Sequence, residues 1–140
     1  MHPFYVLLAL FAALALVGFV FLMRWERGIF VAKGLGHSWL VVRLSTIPIA
    51  LITAAMVVIP ARSTAGMEGL AVFYLLLITA APIFWFGSHW LVGRFTASQM
   101  TVSDSARIAG SPIAFAIVVA LVAHRLQTPA WSFLRSLGME

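Results

Sequence analysis

Two histidines in similar stretches of sequence are the residues best suited to bind a cofactor. The stretches read GHSWLVVR at 36–43 and GSHWLVGR at 87–94, so their tryptophans and arginines align while His37 and His89 are displaced by one position. Two neutral imidazoles on facing helices can act as axial ligands of haem iron or bind another metal ion. Either histidine alone could instead ligate a chlorophyll-type pigment or form a hydrogen bond to a quinone.

His89 is the better candidate because aromatic side chains flank it. Trp85, Phe86 and Trp90 lie close to it in sequence, at the predicted edge of the hydrocarbon core. An aromatic-lined polar group can receive a quinone ring. The same pattern is also typical of a histidine among interfacial tryptophans that binds no ligand.

The predicted depths of the two histidines disfavour a joint haem site. His89 lies nine residues from the centre of its span near Ala80, and His37 lies fifteen residues from the centre of its span near Ile52. At about 1.5 Å per residue, these separations are about 13 Å and about 22 Å. Two axial ligands of one haem need similar depths.

Other kinds of catalytic site lack the residues they need. The chain has no Cys, which excludes thiolate catalysis, disulfides and iron–sulfur ligation. It contains neither a Gly-rich phosphate loop nor a zinc motif such as H-E-x-x-H. The acids are scattered over separate loops and the C-terminus, so no carboxylate pair forms. We therefore expect no catalytic activity of the chain itself.

The composition indicates that lipid, not water, surrounds most of the chain. Hydrophobic residues make up 63% of it and charged residues only 9%, whereas soluble domains carry about 25% charged residues. The net charge is +5, but the basic residues stand singly at the edges of apolar segments. Nucleic-acid binding is excluded on this ground, because a phosphate track needs clustered cations.

The apolar segments predict four transmembrane helices in a single membrane domain over 1–140. Crossing a bilayer takes about 20 apolar residues, and helices satisfy every backbone group within the segment. No basic residue precedes the first run, which is too long for a signal-peptide core, so we expect it to be retained. The predicted spans are 4–23, 44–60, 69–92 and 108–123.

Prolines mark the expected irregularities of this all-α fold. Pro48, Pro82 and Pro112 fall inside or near the ends of spans two, three and four, where we expect local bends. Thr128-Pro129 is predicted to end the fourth helix and to start a short interfacial helix at 130–138.

Tryptophans and arginines at the span ends predict the orientation. The basic residues number six on the side of the first and third loops and three on the other side. By the positive-inside bias, both termini lie outside the cytoplasm, in a bacterial inner (plasma) membrane. The expected interface anchors are Trp25, Trp39, Arg43, Trp90, Arg94 and Trp131.

The lack of ionisable groups in the central part of every span guides the functional prediction. Pumps, ion-coupled carriers and voltage sensors place such groups there. The sequence favours a small accessory subunit of a larger respiratory, photosynthetic or transport complex, packed against partner helices and lipid. One alternative is a membrane redox protein that binds haem, pigment or quinone through His37 or His89. A second is a small homo-oligomeric carrier.

Overall fold

The structure, a computed structural model, describes residues 3–64 and 66–136. These residues are helical except in short connections. No strand occurs in these residues. The helices are α1 (Pro3–Ala32), α2 (Gly36–Ser63), α3 (Gly66–Ile78), α4 (Ala80–Thr96) and α5 (Val102–Ser136). The stretches long and apolar enough to cross a membrane are Tyr5–Ala32, Gly36–Ser63, Gly66–Thr96 and Val102–Leu126. This confirms the prediction of an all-α chain with four such helices, as in a multi-pass membrane protein.

The helices extend well beyond the apolar runs that predicted them. α1 continues past the predicted end at Met23 to Ala32, and α2 begins at Gly36, eight residues before Leu44. The connection is tight because Gly34 adopts φ +72° and the backbone N–H of Leu35 donates to the carbonyl of Phe30 at 2.8 Å. Left-handed glycine caps of this kind end a helix while satisfying its last carbonyls.

A proline breaks the third span into two helices. Pro82 has no N–H to donate to the carbonyl of Ile78, and its ring collides with that carbonyl in a regular helix. α3 accordingly ends at Ile78, and α4 begins at Ala80. By contrast, prolines 48, 60, 112 and 129 remain inside continuous helices.

The predicted separate helix at 130–138 is not found. α5 runs without interruption through Pro129 to Ser136, and residues 137–140 lie outside the described part of the chain. Proline has a helical φ and removes only one backbone hydrogen bond, so a Thr-Pro pair is compatible with a helix interior as well as with a helix start. A helix of 35 residues is about 52 Å long at about 1.5 Å per residue, longer than a hydrocarbon core of about 30 Å.

The chain divides into two compact units, Phe30–Ser111 and the pair Met1–Ile29 with Pro112–Glu140. In the unit Phe30–Ser111, α2 packs against both α3 and α4. Its buried apolar side chains are Phe30, Leu35, Trp39, Val42, Ile49, Val57, Ala81, Met100, Ile108 and Ala109.

The second unit contains most of α1 and most of α5, from Pro112 onward. The rings of Phe19 and Phe115 lie 5.7 Å apart in a tilted pair. Gly18 permits this approach, because a Cβ there would lie 3.3 Å from the Phe115 ring. Helix-to-helix contacts in lipid commonly depend on such small residues.

An ion pair joins the α1–α2 connection to the first turn of α5 within the unit Phe30–Ser111. Lys33 Nζ lies 2.5 Å from Asp104 Oδ1. Asp104 also caps α5: its carboxylate accepts from the Thr101 N–H and hydroxyl, while its own N–H donates to Thr101 Oγ1. This reciprocal arrangement is a capping box. The α1–α2 and α4–α5 connections therefore share one end, as alternating spans require.

Candidate functional site

His89 lies on α4, fully buried, and faces α2. Its Nδ1 is 2.7 Å from the carbonyl oxygen of Trp85, and its Nε2 is 3.0 Å from Thr46 Oγ1. A carbonyl can only accept, so Nδ1 carries a proton and donates to Trp85. In the neutral ring, Nε2 then accepts the hydroxyl proton of Thr46. Both ring nitrogens are thus hydrogen bonded within the protein.

Trp85 connects the histidine to α5. It lies one turn before His89, and the two ring centroids are 4.7 Å apart. Its indole Nε1–H donates to the backbone carbonyl of Ala109 at 2.8 Å. A buried tryptophan usually finds such a partner, and here the partner belongs to a different helix. The bond ties α4 to α5.

Arg43 connects α2 to α5. It lies one turn before Thr46, and its guanidinium donates to Ser111 Oγ at 2.9 Å. The Ser111 hydroxyl in turn donates to the carbonyl of Ile108 at 3.4 Å. That carbonyl has no regular helix partner because Pro112 lacks an N–H. The Ser111 hydroxyl therefore donates to this carbonyl and accepts from Arg43.

These three side-chain bonds form what we call the polar triangle: Thr46–His89, Trp85–Ala109 and Arg43–Ser111. Each bond joins a different pair among α2, α4 and α5. In membrane proteins such a bond contributes about 0.6 kcal/mol on average and up to about 1.7 kcal/mol. The arrangement fixes the mutual rotation of three helices.

One turn after His89, at Gly93, α4 also approaches α5 closely. A Cβ on Gly93 would lie 2.6 Å from Met100 Sδ and 2.7 Å from Ser105 Oγ. The Ser105 hydroxyl is buried and has no hydrogen-bond partner. Only glycine leaves room for these neighbours without a shift. The sequence offers one signal: in the two similar stretches, Gly93 stands where the first stretch has Val42.

The structure does not bring His37 and His89 together. His37 is exposed in the first turn of α2, nine residues before Thr46, which is about 13 Å at about 1.5 Å per residue. The aromatic neighbours of His89 also separate. Trp85 contacts its ring, whereas Phe86 and Trp90 are exposed at 40% and 43%.

The predicted interface anchors occupy different environments. Trp25 and Arg94 are exposed, and Arg94 donates to the carbonyl of Ser98. Trp39 is only 6% exposed and belongs to the core of its unit. Trp131 lies on α5, but its side chain is outside the described part of the structure.

Ligation of a haem or pigment by His89 would require a rearrangement. An axial ligand needs a free ring nitrogen, and both nitrogens are engaged, by Trp85 and Thr46. A ligand at Nε2 would have to displace the Thr46 hydroxyl. Within the described residues, no group of three or more His, Cys, Asp or Glu side chains is placed to hold a metal ion.

Comparisons with protein-family models, curated protein sequences and solved structures find no match to this chain. Function must therefore be argued from the geometry of the chain itself. In that geometry, the side chains of His89, Arg43 and Trp85 form hydrogen bonds between helices.

Proposed function

We propose that the protein is a small accessory subunit of a larger inner-membrane complex, without catalytic activity of its own. The polar triangle carries the proposal. Its histidine, arginine and indole could each serve a substrate or cofactor, yet each donates or accepts across a helix-to-helix contact. Groups used in this way hold a scaffold in a fixed shape.

The outer faces of the helices support the same proposal. None of the most apolar stretch of the span Tyr5–Ala32 is buried. Large side chains such as Leu14, Leu16 and Phe21 are more than 60% exposed along it. Such a face needs lipid or partner helices to cover it. A scaffold with apolar faces on its outside fits a subunit that fills the flank of a larger assembly.

Purification from the native membrane in mild detergent tests the proposal. We expect the tagged protein to elute with larger membrane subunits in a fixed ratio, measured by native mass spectrometry. Elution as a homo-oligomer alone would favour the carrier function instead. A haem absorption band that disappears in His89→Ala but persists in His37→Ala would establish the redox function and overturn our proposal.

The proposed orientation places both termini outside the cytoplasm, with the last turns of α5 at the outer interface. Because the chain has no Cys, single cysteines can report on it directly. We expect Ser63→Cys, near the α2–α3 connection, to react with a membrane-impermeant maleimide in intact cells. Gln99→Cys, in the α4–α5 connection, should react only after permeabilisation. The reverse pattern would invert the orientation, and labelling of both in intact cells would contradict the four-span topology.

A further inference from the structure

A groove lies along the exposed face of α1, and we call it the α1 groove. It has a volume of about 250 Å³ and is lined by Leu16, Val17, Val20, Phe21 and Arg24. At about 100° of rotation per residue, the two valines lie between Leu16 and Phe21 around the helix axis. The shorter valines therefore form the floor of the groove, and the two larger apolar side chains form its walls.

The position of Arg24 places the end of the groove at the membrane surface. The apolar run 4–23 has 20 residues, which span about 30 Å at about 1.5 Å per residue. This equals the thickness of a hydrocarbon core. Arg24 directly follows the run, whereas the other four lining residues are apolar. The valines thus lie at the depth of acyl chains, and the guanidinium lies at the depth of lipid headgroups.

Arg27 adds a second positive charge beside the groove. Residues three apart are neighbours on a helix surface, so Arg24 and Arg27 share one side of α1. Both arginines are exposed. Within the described part of the chain, neither forms a hydrogen bond or an ion pair. By contrast, Lys33 at the end of the same helix is paired with Asp104.

The acid between the two arginines in sequence, Glu26, does not lie on the face of the groove. It follows Arg24 by two residues, about 200° around the helix axis. Glu26 is fully buried and has a partner within the protein. The exposed face at the end of the groove therefore carries the charges of Arg24 and Arg27 alone.

We propose that the α1 groove binds one anionic phospholipid, with an acyl chain along Val17 and Val20 and the phosphate at Arg24. A guanidinium can form two parallel hydrogen bonds to a phosphate. Arg27 selects for a net negative headgroup, because a zwitterionic lipid would bring its ammonium group beside a cation. Basic residues at the membrane surface attract anionic lipids in general, and here an apolar groove adjoins them. This site goes beyond the accessory role and does not depend on it.

The charges favour lipid over protein as the occupant of the groove. Of the acids in the described part of the chain, Glu26 and Asp104 are buried, and Glu68 is exposed in the first turn of α3. One span separates Glu68 from Arg24, so the two belong to opposite membrane surfaces. A second copy in the same orientation thus brings no acid to Arg24, whereas an anionic lipid carries its charge at the required depth.

Native mass spectrometry of the purified protein in mild detergent tests the site. On titration with phosphatidylglycerol, we expect one lipid to bind about tenfold more tightly than phosphatidylcholine, the effect of two cations near an anionic group. Arg24→Gln should weaken phosphatidylglycerol binding about fivefold, the effect of one cation. The matched control Arg62→Gln removes an exposed arginine of α2 and should leave binding unchanged. Equal affinities for the two lipids, or equal losses in the two variants, would overturn the proposal.

The apolar part of the site has its own test. Val20→Trp fills the floor of the groove and should weaken phosphatidylglycerol binding, whereas Leu8→Trp alters an exposed position near the other end of α1 and should not. Glycerol phosphate, which has the anion without acyl chains, should not displace the lipid. Its displacement of the lipid, or equal binding by the two tryptophan variants, would refute a lipid site.

A photoreactive phenylalanine analogue in place of Val20 identifies the occupant in the native membrane. After illumination, we expect the mass of the protein to increase by that of a phospholipid. A cross-link to another protein at this position would show that a partner helix covers the groove and would contradict our proposal. Neither result bears on whether larger subunits co-purify, so the accessory role is tested separately.

Discussion

Replacing Gly93 with alanine is expected to lower the stability of the protein by about 1–3 kcal/mol, the usual cost of overpacking. The new methyl group would lie 2.6 Å from Met100 Sδ and 2.7 Å from Ser105 Oγ. Both are side-chain atoms, so the methionine and the serine must change rotamer or the helices must separate or rotate. Unfolding in a denaturing detergent, monitored by tryptophan fluorescence, measures the loss.

Gly87 provides a matched control on the same helix. A Cβ there meets nothing within 4 Å, so Gly87→Ala should leave stability unchanged or raise it slightly through the better helix propensity of alanine. The difference in stability between the two variants separates the effect of the close approach from the general effect of replacing a helix glycine with alanine. Equal stabilities of the two variants would contradict the α4–α5 contact described here.

Truncation of His89 to alanine is expected to have the largest effect among the residues of the polar triangle. The side chain is fully buried, and its removal leaves a cavity and ends the contact with Thr46. Large buried side chains cut to alanine commonly cost about 2–5 kcal/mol. The same unfolding assay measures this, and loss of helix-to-helix order would appear as a broader transition.

Two further variants distinguish the stability lost through the cavity from the stability lost with the hydrogen bond. Thr46→Val keeps the shape of the side chain and removes only the hydroxyl, so we expect a loss of about 0.6–1.7 kcal/mol. His37→Ala alters an exposed residue of α2 and should change stability little. If His37→Ala proved as damaging as His89→Ala, the assignment of structural roles to the two histidines would be wrong.

Together these variants distinguish a scaffold from a binding site. A scaffold loses stability when the hydrogen bonds between its helices are removed. An added ligand does not change that loss. A site that binds haem or quinone would instead show variants of His89 whose stability responds to that ligand, since binding to the folded state adds to its stability. The polar triangle predicts the first behaviour.

The amino-acid sequence alone was sufficient to predict four helices able to cross a membrane. That prediction needs only the length and polarity of each apolar run, because unpaired backbone groups are excluded from lipid. Proline positions were partly informative, since the third span breaks shortly before Pro82, whereas α2 continues through Pro48 and Pro60. Pro129 shows the limit of the same argument: α5 passes through it, because one lost bond does not end a helix that is otherwise favoured.

Which face of each helix turns inward was decided only by the tertiary structure. In the two similar stretches, the aligned tryptophans Trp39 and Trp90 are 6% and 43% exposed, and of the two histidines only His89 is buried. A helix that is apolar all round has no polar side to reveal its rotation about its axis. That rotation follows from contacts between distant residues, such as Thr46 with His89 and Gly93 with Ser105, and no local pattern in the sequence specifies them.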